Sequence, residues 1–159
     1  MKLQYIAALM TAVSVFAVNA EEPASFPDWG KPYAVTSGPH EHLLASYYGI
    51  NSWSPNQRYV SVLRTDLNGR LPEAGERCTL GLVDLKDGNK FIPVTTTACW
   101  NFQEATMAHW LSDDEIIFND VRDGKFKAVV INWRTKKERV LPMPISAVST
   151  DMKWALSIN

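Results

Sequence analysis

The sequence predicts an all-β chain assembled from a repeated unit, and three observations carry that expectation. Short β-type runs separated by turns fill the chain after residue 38, with no amphipathic helical stretch among them. A polar turn set directly against a strand recurs at Trp53, Trp110 and Val148. Between these copies a second turn, which closes a strand, occurs twice.

The chain opens with a basic Met1-Lys2, an apolar run to Val18, and a small-residue site at Val18-Asn19-Ala20. This is the pattern of a secretory signal peptide over residues 1–20. The run also lies near the lower length limit for spanning a bilayer, so an uncleaved anchor is the competing reading. Residues 21–38 are rich in Pro and Gly and are expected to be extended, leaving 39–159 for the repeats. No later segment is apolar for long enough to cross a membrane, so a secreted or periplasmic location is expected. Without Lys2 the chain carries 15 basic against 17 acidic residues, and its longest basic run is Arg134-Thr135-Lys136-Lys137. That charge distribution argues against a nucleic-acid partner.

Two cysteines flank an expected hairpin, with strands over 79–85 and 90–96 and a turn at Lys86-Asp87-Gly88-Asn89. Folding about that turn sets Cys78 opposite Thr97, with Cys99 two positions farther on. A Cys78–Cys99 disulfide is then reachable with slight slippage or a bulge, and two free buried thiols are the other outcome. One cysteine pair without a C-x-x-C spacing does not suit structural zinc.

The first turn-and-strand copy runs Trp53-Ser54-Pro55-Asn56-Gln57-Arg58-Tyr59-Val60. It aligns with Trp110-Leu111-Ser112-Asp113-Asp114-Glu115-Ile116, one residue shorter, and with Val148-Ser149-Thr150-Asp151-Met152-Lys153-Trp154-Ala155. The second turn pairs Leu82-Val83-Asp84-Leu85-Lys86-Asp87-Gly88 with Val130-Ile131-Asn132-Trp133-Arg134-Thr135-Lys136, where Lys136 takes the place of a glycine suited to positive φ. A closing strand follows each, at Lys90 to Thr96 and at Glu138 to Pro142. The copies lie 57 and 38 residues apart, which straddles the period of propeller blades, each a four-stranded antiparallel sheet. The longer first interval contains an insertion, Asp66 to Glu76, that reads as a loop. The expected architecture is therefore a partial β-propeller with two four-stranded blades and the first strand of a third.

The turn-strand pattern resembles the TolB-type β-propeller repeat, whose common form is Trp-Ser-Pro-Asp-Gly-Lys before a strand and which also builds oligogalacturonate lyase. Segments around Tyr47-Tyr48-Gly49, Trp100-Asn101-Phe102-Gln103 and Pro144-Ile145-Ser146 are further similar to secreted bacterial propeller proteins of uncertain function. The resemblance covers residues 38–159. It departs from the pattern at Asn56-Gln57, Asp113-Asp114 and Asp151-Met152. A ring ordinarily needs four to eight blades, so the expectation is a chain that continues past Asn159. If it stops there, open sheet edges are expected to pair with another copy.

Propellers bind ligands where the loops leading into the inner strands converge. The best local constellation is Trp100, Asn101 and Gln103 with His109, since amides donate and accept while rings cover apolar sugar faces. Equally, the tryptophans suit the blade core and the amides suit strand ends. Tyr47, Tyr48 and Asn51 are candidates for lining the channel or for packing between blades. His40 and His42 would face one side of an extended strand, a weak metal pair without an identifiable third ligand. Serine-hydrolase, zinc-protease, phosphate-loop and dinucleotide signatures are missing, and no cofactor is identifiable. The lyase resemblance implies manganese held by histidines and a glutamine late in that family's chain, which match no position here. The functional expectations are a carbohydrate-binding or polysaccharide-degradation protein, a TolB-like scaffold for an envelope protein, or a lyase.

Overall fold

The computed structural model describes residues 30–45 and 49–158. By contact the chain divides into Met1–Pro32 and Tyr33–Asn159. The signal peptide and much of the extended lead-in lie outside the described residues, as do Tyr47 and Tyr48.

All described strands belong to the second unit, and no described residue is helical. The first sheet contains β1 (Glu41–Leu44), β2 (Tyr59–Thr65), β3 (Cys78–Asp84) and β4 (Lys90–Thr97), antiparallel and in sequential order. The second contains β5 (His109–Trp110), β6 (Glu115–Arg122), β7 (Lys125–Asn132) and β8 (Glu138–Val140) in the same order. A ribbon of β9 (Ala147–Val148) and β10 (Ala155–Leu156) follows, so the third unit shows two short strands rather than one. Among the described residues no sheet closes on itself. The 78–97 hairpin and the 66–76 loop fall where the sequence places them.

The repeated turn recurs bond for bond. Ser54 N–H donates to Tyr59 O at 2.8 Å and Ser149 N–H to Trp154 O at 2.9 Å. Each serine hydroxyl donates to the acceptor two residues on, Asn56 or Asp151, and accepts the N–H of Tyr59 or Trp154. Gln57 and Met152 occupy the glycine position of the TolB-type pattern and adopt its left-handed backbone, at φ 58° and 59°. Asn56 and Asp151 make this tolerable, because each side chain accepts the N–H of the residue two positions on, Arg58 or Lys153. In the shorter second copy Leu111 N–H reaches Glu115 O at 2.9 Å. Lys136 likewise takes φ 62° at its glycine-like position.

One apolar cluster draws on both sheets: Tyr59, Leu63, Leu80 and Leu82 from the first meet Trp110, Ile116, Phe118, Val129, Ile131 and Trp133 from the second. The rings of Tyr59 and Trp133 meet edge-on at 5.0 Å. The alternate residues Ile117, Ala128 and Val130 pack with Ile145, beside Leu141 and Val148. The second sheet is thus buried on both faces in its middle, which is why Ile116 to Phe118 and Ala128 to Ile131 read as continuous apolar runs rather than alternating ones. An ion pair links the strand entrance to the second turn in each sheet with its signs exchanged: Arg58 to Asp84, and Asp114 to Arg134.

Cys78 and Cys99 are free thiols, so the disulfide is not formed. Cys78 pairs with Thr97 as expected. The chain then bends at Thr97, whose Oγ1 accepts the Cys99 N–H at 3.0 Å, and leads Cys99 toward a cleft while Cys78 packs in the core. Burial, reinforced by Asp120, pushes the two thiols up to about 12 and about 11.

Candidate ligand cleft

A cleft of about 740 Å³ opens between the inserted loop (72–77), the connection from β4 to β5 (98–107) and the β6–β7 hairpin. Its walls include Arg77, Trp100, Asn101, Glu104 and Phe126. The inserted loop is held by its own pair, Arg70 to Glu76, and Glu76 also accepts the Glu73 N–H at 2.8 Å. Those bonds from Arg70 and Glu73 hold the Glu76 carboxyl down to about 2. Trp100 pins the two loops together, donating from Nε1 to Glu76 O at 2.8 Å, with Phe102 edge-on at 5.6 Å.

Asn101 serves its own turn. Its Oδ1 accepts the N–H groups of Gln103 at 2.8 Å and Glu104 at 2.5 Å, and its N–H donates to Ala105 O. The turn is tight enough to put Ala105 and Met107 at φ 52° and 54°. Trp100 and Asn101 border the cleft, whereas Gln103 is exposed outside its walls.

Behind the cleft lies a buried ionic and polar node that sequence reasoning missed. Asp120 is fully buried, accepting the Ala98 N–H at 2.9 Å and the Arg77 guanidinium at 3.2–3.3 Å. Arg122 Nε lies 2.8 Å from it as an ion pair without hydrogen-bond alignment. Burial works to raise the Asp120 pKa, but the N–H groups of Ala98 and Val121, with Arg77, outweigh it and hold the carboxyl below its ordinary value. Asn119 stitches three segments together. Its carbonyl accepts the Thr97 and Thr106 hydroxyls, its N–H donates to Thr106 O, and its carboxamide both donates to Ile145 O and accepts Ile145 N–H at 2.8 Å. The adjacent Asn119-Asp120 inside an apolar strand was the available signal.

His109 and Asn51 line a different cleft of about 340 Å³, between the turn at Trp53 and the turn at Ser149. The two clefts share no residue, so the constellation expected over 100–109 is divided. Asn51 lies outside a strand and accepts the Trp53 N–H at 3.0 Å. His109 Nε2 is buried without a hydrogen-bond partner, and burial lowers the ring's pKa. His40 pairs with Asp66, and His42 packs edge-on against Phe91 at 5.5 Å, so the two histidines have different neighbours. Among the described residues no group of three or more His, Cys, Asp or Glu is placed to hold a metal. No described helix is long and apolar enough to cross a membrane.

No family model matches this chain, and neither the curated proteins nor the solved structures contain a match.

Proposed function

We propose that this chain is a propeller-type β protein that works outside the cytoplasm and binds carbohydrate in the larger cleft. The propeller reading is supported by two sequential antiparallel four-stranded sheets that share a core, followed by a ribbon that repeats their first turn. The observation that carries the ligand reading is the make-up of the 740 Å³ cleft, where the exposed Phe126 ring faces space also bordered by Arg77, Asn101 and Glu104. A ring to cover an apolar sugar face, beside charged and amide groups for hydroxyls, is the combination that sugars need. The cleft also lies beside the loop that leads into the first strand of the second sheet.

Affinity electrophoresis through gels containing neutral or acidic polysaccharides tests this reading. Retardation of the native protein, lost in Phe126→Ala with Glu104→Gln while the circular dichroism spectrum is kept, is the expected result. Free migration in every gel would overturn it.

A non-catalytic scaffold of TolB type is the second reading, favoured by the exposure of Leu71, Phe102 and Phe126 near this end of the sheets. Capture of a specific envelope protein, without retardation in any polysaccharide gel, would select it.

A further inference from the structure

The guanidinium groups around the larger cleft are answered by carboxylates of the protein itself. Arg77, on the wall, donates from Nε to Thr96 Oγ1 at 3.0 Å and from Nη2 to Thr96 O at 2.8 Å and to buried Asp120. Arg70 is paired with Glu76, and Arg122 with Glu138 as well as Asp120. Lys125 and Lys127 flank Phe126 in β7, but strand alternation sends their side chains to the face opposite the Phe126 ring.

Two carboxylates on the walls are left over. Glu73 and Glu104 line the cleft, are exposed, and belong to no ion pair among the described residues. The amide acceptors beside them are already engaged: Asn101 Oδ1 takes the N–H groups of Gln103 and Glu104, and Asn119 Oδ1 takes that of Ile145. The cleft therefore offers an exposed ring, Phe126, together with side-chain acceptors that carry uncancelled negative charge.

We propose that this cleft selects sugars bearing a free ammonium group, the hexosamines, over their N-acetylated and uronic counterparts, with Glu73 and Glu104 setting the preference. The inference rests on the carbohydrate reading of the same cleft. An ammonium group supplies three donors and no acceptor, which is the complement of a carboxylate. N-acetylation removes that charge and keeps the apolar ring face for Phe126. A uronic acid meets like charge at Glu73 and Glu104, and the cation that would receive it, Arg77, is already held by Asp120. For pairs in a solvent-exposed cleft the preference for the free amine is about fivefold.

Titration with oligomers of glucosamine, N-acetylglucosamine and glucuronic acid of equal length, followed by tryptophan fluorescence at a mildly acidic pH that keeps the amines protonated, tests this. The glucosamine oligomer is expected to bind about fivefold more tightly than its N-acetylated form, and the uronic oligomer most weakly of the three. Glu73→Gln combined with Glu104→Gln should bring the first two within about twofold of each other while binding persists, and added salt should narrow the gap in the native protein. Asp87→Asn, in the turn at the other end of the first sheet, should leave the preference unchanged, and circular dichroism establishes that the variants are folded. Equal affinity for the free and acetylated amines, tightest binding of the uronic oligomer, or a preference indifferent to the double substitution overturns this inference and leaves the carbohydrate reading standing. Binding of none of the three, even where a lysine-rich peptide binds, overturns both.

Discussion

Replacing Asn119 with alanine should loosen the third unit from the second sheet. The carboxamide makes two hydrogen bonds of 2.8 Å to the backbone of Ile145, and both residues are buried, at 6% and 4% exposure. Each bond is worth about 1 kcal/mol net, and truncation also strands the Ile145 N–H and C=O in an apolar setting beside Ile117 and Val130. The expected loss is about 2–4 kcal/mol. The main-chain bonds from Asn119 to Thr97 and Thr106 survive the substitution, so the damage should be local to the junction with Ile145. Urea unfolding followed by tryptophan fluorescence measures the total, and limited proteolysis should show earlier cutting near Met143 to Ser146. A change below about 0.5 kcal/mol with an unaltered cleavage pattern would refute the reasoning, since the two bonds would then be dispensable.

Three further outcomes follow from the turns, the first hairpin and the half-buried His109. Gln57, at φ 58° with its Nε2 donating to Ser54 O, should tolerate glycine within about 0.5 kcal/mol, while Gln57→Val should cost about 1–2 kcal/mol, as read from thermal midpoints. Gly81→Ala should destabilise by about 1–3 kcal/mol, because a Cβ there meets Phe91 Cζ at 2.3 Å and Ile92 O at 3.0 Å, and Phe91 is itself held under Arg64. Burial lowers the His109 pKa in the fold, so the unfolded chain binds the extra proton. Stability should therefore be fully present above the ordinary histidine pKa of about 6.5 and fall as pH drops below it. His109→Gln should flatten that part of the profile in urea titrations at successive pH values.

The strands were legible where turn chemistry and apolar runs coincide. The 78–97 hairpin follows from Asp87-Gly88-Asn89 between two β-type runs, and the repeat follows from Ser54 and Ser149 in equivalent places. Gln57 and Met152 look like departures from the glycine pattern, yet the backbone keeps the glycine conformation because Asn56 and Asp151 complete the same bonds. Contacts between distant segments were not legible. The role of Asn101 depends on the turn it caps, and the separation of His109 from Trp100 depends on how residues 104–107 twist. The Cys78–Cys99 pairing failed for the same kind of reason, a bend at Thr97 that register alone does not contain. Asn119 and Asp120 were visible as polar residues within an apolar strand, but their partners come from loops whose approach no local pattern encodes.

On the proposed function, ligand enters the cleft between the inserted loop and the β4–β5 connection. Titration of the ¹⁵N-labelled protein with oligosaccharides, followed by backbone and indole N–H chemical shifts, tests it most directly. Shifts are expected for the Trp100 indole and for the amides of Arg77, Glu104 and Phe126, with the signals of Trp53 and His109 unmoved. Saturation without any change at Trp100 and Glu104, or shifts confined to the cleft at His109, would contradict it.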